Sequence, residues 1–291
     1  MPPHIENVAQ ALNRRPVDFL PRGELFMNKN FLDYFFSSYQ GHYLKQLKGA
    51  AETLGLSVLG VELAPEKSQS LLEAGAYREL DPYFTVGCLD GPMAGLIARQ
   101  GFLKAMSTTV RNPAALSEIG RGRLIDLEKI ARSARINGFQ AIAITDDIAG
   151  NKGLYFSFDY FRKTLWPVYQ AMAEIIKDQG LFVFFHSDGD IRKIIELLIQ
   201  AGVDCLHPVD SQAGQDLYQL QEEFDQRICF MGHIDPITWS SERLQREIDR
   251  AETEFNKGGL ILGSTCGLSL ETIHENFKNL YPHWDYSGVL I

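Results

Sequence analysis

Residues 181–189 read LFVFFHSDG, an apolar run of five residues followed at once by a histidine, a serine and an aspartate. A short apolar run without alternation indicates a strand covered on both faces, as in a parallel sheet flanked by helices. Residues 191–201 continue with apolar side chains at helical spacing, and Gly202 then ends the predicted helix. The stretch therefore predicts one strand and helix unit with polar side chains at the carboxyl end of its strand.

The same unit recurs along the chain. Further apolar runs lie at residues 141–145, 203–209, 228–232 and 260–263, weaker strand patterns lie at 18–27, 56–61 and 83–89, and another helical pattern lies at 161–178. Eight strands joined by helical connections predict an α/β fold, the (β/α)8 TIM barrel. An open doubly wound sheet is less favoured because the sequence lacks the glycine-rich phosphate loop expected after its first strand.

The organisation of the chain fits one barrel. Its 291 residues are close to the roughly 250 of a typical TIM barrel, and no serine- or glycine-rich linker interrupts them. We therefore predict a single domain over residues 1–291. The connection over residues 94–137 is long, and we predict two helices there, with a loop near Arg111-Asn112-Pro113.

Composition excludes several classes of protein. With 45% hydrophobic residues and 22% charged residues the chain can bury a core, so it is not intrinsically disordered. A net charge of −9 offers no basic surface for nucleic acid or an anionic membrane. No apolar run approaches the ~18 residues of a membrane span and no signal peptide is evident, so we expect a cytoplasmic protein. The four cysteines form no CxxC pair and are expected to be thiols.

Polar side chains follow five of the predicted strands. The carboxyl ends of barrel strands converge, and active sites of this fold lie on that face. Taken singly, an aspartate after a strand often caps a helix, and a lone histidine is more often a satisfied buried group than a ligand. Seven together favour a functional site. They are Asp146, Asp147, His186, Asp188, Asp210, Asp235 and Cys266.

Two kinds of chemistry are predicted for this face of the barrel, from these seven residues and His233. His186, Asp188, Asp210 and Cys266 offer an imidazole, two carboxylates and a thiol, which are suitable zinc ligands, although Cys266 must reach across the barrel mouth. A second set, predicted as catalytic, would shape the pocket or move a proton. It consists of Asp146, Asp147, His233 and Asp235. For His233 and Asp235, the segment GHIDP is equally typical of a strand end followed by a helix cap.

Three further residues are predicted to bind substrate. Arg22 and Glu24 form a charged pair at the first strand, and Arg22 is suited to a substrate carboxylate, with a surface ion pair as the simpler alternative. Tyr155 follows the fourth strand and either contacts substrate or packs. The sequence leaves these alternatives open.

The segment over residues 138–281 resembles the uroporphyrinogen decarboxylase superfamily, which includes corrinoid-dependent methyltransferases. The matching stretches are TDDIAGNKG at 145–153, residues 157–167 leading to Tyr169, HSDG at 186–189, GHID at 232–235, and residues 258–267 with Glu275-Asn276. Near the start, RRPVD at 14–18 and PRGE at 21–24 also resemble the family's entry into its first strand. The resemblance implies a TIM barrel.

Within this superfamily the sequence is closer to the zinc methyltransferases. The Arg-Gln-Ala-Gly-Arg segment and the Gly-His-Gly motif of true decarboxylases are not present. The methyltransferases carry His-x-Cys-Gly, an acidic residue after the next strand and a Cys-Gly on the last strand. This sequence is similar at His186, Asp210 and Cys266, but Asp188 stands where the family has its middle cysteine.

The resemblance implies an enzyme that moves a methyl group between a small-molecule donor or acceptor and the corrinoid of a partner protein, with zinc activating the heteroatom. Because Asp188 makes such a site harder, a methoxylated aromatic or a methylamine-like donor fits as well as a thiol. One alternative is a decarboxylase of a porphyrinogen in tetrapyrrole biosynthesis, using Arg22 and Asp146 or Asp147. Another is an inactive tetrapyrrole-binding barrel. The oligomeric state, a homodimer included, is left open.

Overall fold

A computed structural model describes residues 5–63, 72, 75–224, 227–272 and 277–281. Glu275-Asn276, part of the resemblance above, lie outside these ranges. The strands are β1 (Gly23–Glu24), β2 (Val58–Glu62), β3 (Phe84–Asp90), β4 (Ala141–Thr145), β5 (Ala149–Gly150), β6 (Gly153–Leu154), β7 (Phe182–His186), β8 (Cys205–His207), β9 (Cys229–Ile234) and β10 (Leu260–Ser264). Eight of them form one parallel sheet in the order β1-β2-β3-β4-β7-β8-β9-β10, and a parallel bridge between Arg22 and Leu262 joins its two edges. The prediction of a TIM barrel is therefore confirmed.

Helices surround the barrel. The helices are α1 (Ile5–Leu12), α2 (Lys29–Phe35), α3 (Tyr43–Leu54), α4 (Pro92–Gln100), α5 (Phe102–Arg111), α6 (Ala115–Ile136), α7 (Trp166–Asp178), α8 (Ile195–Ala201), α9 (Leu217–Glu223), α10 (Ser241–Glu254) and α11 (Phe277–Leu280). Shorter helical turns lie at Ser37–Tyr39, Ala76–Leu80, Phe158–Tyr160, Phe161–Leu165, Arg192–Ile194, Ser211–Ala213 and Leu270–Thr272. Among the described residues, no helix combines the length and apolar character needed to cross a lipid bilayer.

Alternating side chains of each strand build two cores. On β4, Ala141 and Ala143 belong to a cluster inside the barrel, whereas Ile142 and Ile144 belong to the cluster beneath the helices. Helix α1 contributes Val8 and Leu12 to the inner cluster and so packs against the interior of the barrel. Both faces of a strand are therefore apolar, which explains the unbroken apolar runs of the sequence.

Each of the eight predicted strands overlaps an observed strand, but the predictions over 18–27 and 203–209 are too long, because the strands observed there are only Gly23–Glu24 and Cys205–His207. The connection over residues 94–137 differs from the prediction because α4, α5 and α6 replace two helices. The loop after Arg111 lies where it is predicted, but the chain also breaks at Gly101, whose positive φ of 77° is readily adopted by glycine. The antiparallel hairpin β5–β6, with Asn151 and Lys152 at its turn, was not predicted.

A buried carboxyl group ties the two ends of the sheet together. Glu24 on β1 accepts hydrogen bonds from the backbone N–H and the hydroxyl of Ser264 on β10, both at 2.7 Å, and a third from the hydroxyl of Tyr281. Burial raises the pKa of Glu24 from its usual 4.5 to about 7, although these hydrogen bonds oppose the shift. Glu24 therefore joins the first and last strands of the barrel, and both of its carboxyl oxygens accept hydrogen bonds.

This link predicts a pH-dependent stability. Because the folded protein favours the protonated form of Glu24, this group's contribution to the free energy of unfolding falls as pH rises from 4.5 to about 7. The loss is at most about 3 kcal/mol at 1.36 kcal/mol per pKa unit. Glu24→Gln stays neutral, so in urea unfolding the stability of the wild type relative to this variant should decline across that window. Glu252→Gln, at a half-exposed carboxylate, is the control. If the stability of the wild type relative to Glu24→Gln is constant or rises with pH across this window, the raised pKa of Glu24 is wrong.

Candidate metal site at the barrel mouth

Three polar side chains meet at the carboxyl ends of β4 and β7. Thr145 is the register partner of His186, so Asp147, two residues beyond Thr145, lies beside the β7 terminus that carries His186 and Asp188. One ligand atom from each of Asp147, His186 and Asp188 lies within 4.8 Å of the others, and we call this group the His186 cluster. Nε2 of His186 is 3.5 Å from Oδ1 of Asp147, and the backbone N–H of Asp188 donates to the same oxygen at 3.0 Å.

Burial differs across the His186 cluster. The side chain of His186 is 10% exposed and that of Asp147 is 50% exposed. Burial lowers the pKa of His186 to about 4, against the opposing charge of Asp147. Burial raises the pKa of Asp188 to about 6, and the charges of Asp147 and Asp210 raise it further. At neutral pH the cluster therefore offers a neutral imidazole with a lone pair, next to carboxylates that repel one another.

A second histidine supports the cluster from the neighbouring strand. His186 and His207 are register partners on β7 and β8, and their Nδ1 atoms lie 2.9 Å apart. The ring of Phe26 packs edge-on against both, with centroid separations of 4.7 Å to His186 and 5.9 Å to His207. Sequence reasoning missed His207, although a signal was available. One predicted strand is followed at once by a histidine, and the next one contains a histidine near its carboxyl end.

The other two predicted metal ligands lie near the cluster but not in it. Among the described residues, no ligand atom of Asp210 or Cys266 belongs to the 4.8 Å group. Asp210 accepts a hydrogen bond from the backbone N–H of Gln212 at 2.8 Å and so shapes its own turn. Burial raises the pKa of Cys266 to about 12, with smaller effects from Glu24, Asp235 and Asp188, so its thiol stays protonated. The four predicted ligands are therefore only partly brought together.

Asp146 faces away from this group although it adjoins Asp147. Its side chain is fully buried, and it accepts hydrogen bonds at 2.6 Å from the backbone N–H of Ala94 and from the hydroxyl of Tyr169. Ala94 lies in the first turn of α4, so Asp146 stabilises the start of that helix. A Cβ atom at Gly91 would lie 2.4 Å from Cγ of Asp146, so glycine permits this close approach. The structure gives Asp146 a supporting position in place of the predicted one at the mouth.

His233 and Asp235 also contact the helical layer. His233 has a positive φ of 86°, and its ring lies among Tyr218, Trp239 and Glu247, with Nε2 3.4 Å from Glu247. Asp235 accepts hydrogen bonds from the backbone N–H groups of residues 237 and 238 at 3.0 Å and from Gln212 at 2.7 Å. Although burial raises the pKa of Asp235, these hydrogen bonds outweigh it and hold the pKa below its usual value. Asp235 therefore forms the cap that the segment GHIDP predicts as the alternative to a catalytic role.

The predicted substrate residues are separated by the fold. Arg22 pairs with Glu252 of α10 at 3.1 Å, which is the surface ion pair that the sequence left as an alternative. Glu24 is buried in the barrel closure described above. Tyr155 stays at the mouth: it is 39% exposed, packs edge-on against Phe102 at 5.4 Å, and has its pKa raised by burial and by the charges of Asp147 and Asp188.

A cavity opens at the barrel mouth on the far side of Phe26 from His186, and its described lining includes none of the three residues of the His186 cluster. Its volume is about 380 Å³, and it is lined by the ends of β1 to β4 and by the loop after β10. Phe26, which contacts His186, forms one wall, and Cys266 lies on another. The charged side chains of its described lining are those of Glu62 and Asp90, with no lysine or arginine among them. This mouth cavity suits a small molecule that does not carry several negative charges.

Comparisons with known proteins agree with the fold. The family model described as "Uroporphyrinogen decarboxylase (URO-D)" matches residues 92–283, about two thirds of the chain, so the chain belongs to this family. A methyltransferase from Methanosarcina mazei is 15% identical and has a TM-score of 0.71, with 97% of each chain covered. A family 2 AP endonuclease from Brucella melitensis is 14% identical, with a TM-score of 0.53 over 90% of this chain and 97% of that one. A search of curated proteins found no match.

The placement of Asp146 gives a test of its role. Asp146→Ala removes the partner of a helix N–H and of the buried Tyr169 hydroxyl, so we expect the free energy of unfolding to fall by about 2–4 kcal/mol. Tyr169→Phe removes only one of these bonds and should cost about 1 kcal/mol. Both variants should keep the metal affinity of the wild type. An Asp146→Ala protein that is as stable as the wild type but inactive would instead support a catalytic role.

Proposed function

We propose that this member of the uroporphyrinogen decarboxylase family is a methyltransferase. In this proposal a zinc ion held by Asp147, His186 and Asp188 activates the heteroatom of a small methylated compound, and the corrinoid of a separate protein exchanges the methyl group with it. The observation that carries the proposal is the convergence of one imidazole and two carboxylates at the barrel mouth. The similarity in fold to a methyltransferase agrees with this assignment.

The donor atoms of the His186 cluster fit zinc. Catalytic zinc sites use three protein ligands and keep one position open, and they accept imidazole nitrogen and carboxylate oxygen. Two ligands of a tetrahedral zinc ion, each 2.0–2.1 Å from the metal, lie about 3.3 Å apart. The distance of 3.5 Å between Nε2 of His186 and Oδ1 of Asp147 is close to this value. Since Asp147 supplies the third ligand, a site can form without the thiol of Cys266.

The ligand set indicates the kind of substrate. When bound, zinc would supply Lewis acidity to a substrate heteroatom at the open position. Two carboxylates and an imidazole are harder ligands than thiolates, and they favour an oxygen or nitrogen heteroatom over sulfur. In the direction of demethylation, the bond between this heteroatom and its methyl carbon would break as the methyl group passes to the reduced, nucleophilic corrinoid, and the heteroatom would keep the electron pair of the broken bond and later take a proton.

The surrounding residues limit what can enter. The mouth cavity of about 380 Å³ is near the lower end of the usual range for ligand pockets. A corrin macrocycle is too large for it, which agrees with a corrinoid that reaches the mouth from outside the barrel. Tyr155 stands half-exposed beside Asp147 and Asp188, where its ring can cover one side of a bound substrate.

The decarboxylase alternative is less well supported by the site. A porphyrinogen with many carboxylates needs cationic side chains, and the described lining of the mouth cavity provides carboxylates instead. Arg22, the candidate for such a contact, is paired with Glu252. A negatively charged mouth would repel this substrate.

Metal binding is the first prediction of the proposed function. We expect about one zinc ion per chain. Asp147→Asn, His186→Gln or Asp188→Asn removes a ligand and should weaken zinc binding by more than ~10–100-fold, which is the usual effect of changing a residue that only supports a ligand. Cys266→Ser should bind zinc within a few-fold of the wild type because its sulfur lies outside the cluster. Competition with a chromophoric chelator measures each affinity. Loss of zinc in Cys266→Ser to the same extent as in His186→Gln would contradict this ligand set.

Methyl transfer is tested with the zinc-loaded protein and reduced cobalamin. Candidate donors are a methoxylated benzoate, a methylated amine and a methyl thioether, and mass spectrometry detects the demethylated product. We expect product from an oxygen or nitrogen donor, and none from the His186→Gln variant. Conversion of uroporphyrinogen to coproporphyrinogen, without any demethylation, would contradict the proposal and support the decarboxylase.

A further inference from the structure

A buried histidine that is not part of the His186 cluster contacts it directly. His207 is 1% exposed and lies on β8, and its Nδ1 atom is 2.9 Å from Nδ1 of His186. Its other nitrogen, Nε2, has no hydrogen-bond partner of normal geometry in the described structure. The backbone carbonyl of Ser264 is the other polar group that acts on this side chain, and the imidazole of His186 is its one hydrogen-bond partner of normal geometry among the described residues.

The contact restricts the tautomers of both rings. Two neutral imidazoles share a hydrogen bond between Nδ1 atoms only if one of the two is protonated there and the other is not. If His207 is the donor, the proton of His186 is on Nε2, and this nitrogen cannot bind a cation. If His207 is the acceptor, His186 carries its proton on Nδ1, and the lone pair of Nε2 points to the side of Asp147.

We infer that His207 is a positioning residue: its Nδ1 accepts a hydrogen bond from the Nδ1–H group of His186 and thereby presents Nε2 of His186 to the metal. Metal-bound histidines generally donate their second N–H to an acceptor, which fixes both tautomer and ring orientation. Here the parallel register of β7 and β8 places the acceptor, because His186 and His207 are Cα partners. The ring of Phe26 packs against both imidazoles and holds them in this arrangement.

The inference rests on the metal site of the proposed function but not on methyl transfer. It explains why a site with only three ligands, two of them exposed carboxylates, can keep its imidazole in a fixed orientation. It also gives His207 a role that differs from simple core packing, since an apolar residue would fill the same space.

A matched pair of variants separates the two roles. His207→Asn and His207→Leu introduce side chains of nearly equal size, and asparagine places an oxygen acceptor close to the position of Nδ1. We expect zinc affinity within a few-fold of the wild type for His207→Asn, and about 10–100-fold weaker binding for His207→Leu. Equal affinities in the two variants, whether both strong or both weak, would overturn the inference, because the acceptor would then be irrelevant.

A second measurement uses the wild-type chain and does not depend on the folding of a variant. Long-range proton–nitrogen NMR spectra of the zinc-loaded protein identify which nitrogen of each of the two imidazoles is protonated. We expect the proton on Nδ1 of His186 and on Nε2 of His207, and a proton on Nδ1 of His207 would overturn the inference. If the expected NMR and affinity results are obtained but no donor is demethylated, the methyltransferase assignment fails and the role of His207 stands.

Discussion

The parallel register of β4, β7 and β8 is the constraint on which the candidate site depends. It aligns Thr145 with His186 and His186 with His207, so the residues that follow these strands must share one corner of the barrel mouth. Backbone hydrogen bonds of the sheet, rather than contacts among the polar side chains, hold them there. Carboxylates that repel one another can therefore stay close with no lysine or arginine paired to them among the described residues, which leaves them available to a cation.

The same sequence feature, an aspartate after a strand, has two outcomes in this barrel. Asp146 and Asp235 face backbone N–H groups of nearby turns, and their carboxylate oxygens accept hydrogen bonds from these groups. Asp147 and Asp188 come at equivalent places in the chain but face the open mouth and retain carboxylate oxygens that a metal can reach. Which outcome an aspartate has depends on its direction at the strand end, and neighbours such as Asp146 and Asp147 take opposite directions.

Much of the fold follows from the sequence because strands buried on both faces are unbroken apolar runs. The site is less accessible to such reasoning. His186 and Asp188 are predicted together because they are two residues apart. That Asp147 completes the cluster, instead of Asp210 and Cys266, depends on strand register and side-chain direction, which cannot be deduced from a single sequence. The break at Gly101 was missed because a single glycine in a long connection gives a weak signal. The hairpin β5–β6 was missed because each of its strands has only two residues. His207 was missed because it lies inside the predicted strand at 203–209 and not after it.

In the proposed metal centre, strand register brings together nitrogen and oxygen ligands alone. X-ray absorption at the zinc edge of the loaded protein distinguishes this ligand set from one that includes sulfur. We expect only nitrogen and oxygen neighbours at about 2.0–2.2 Å, with the scattering pattern of one imidazole. A sulfur neighbour at about 2.3 Å would contradict this ligand set, because the cysteine of the last strand would then belong to the metal centre.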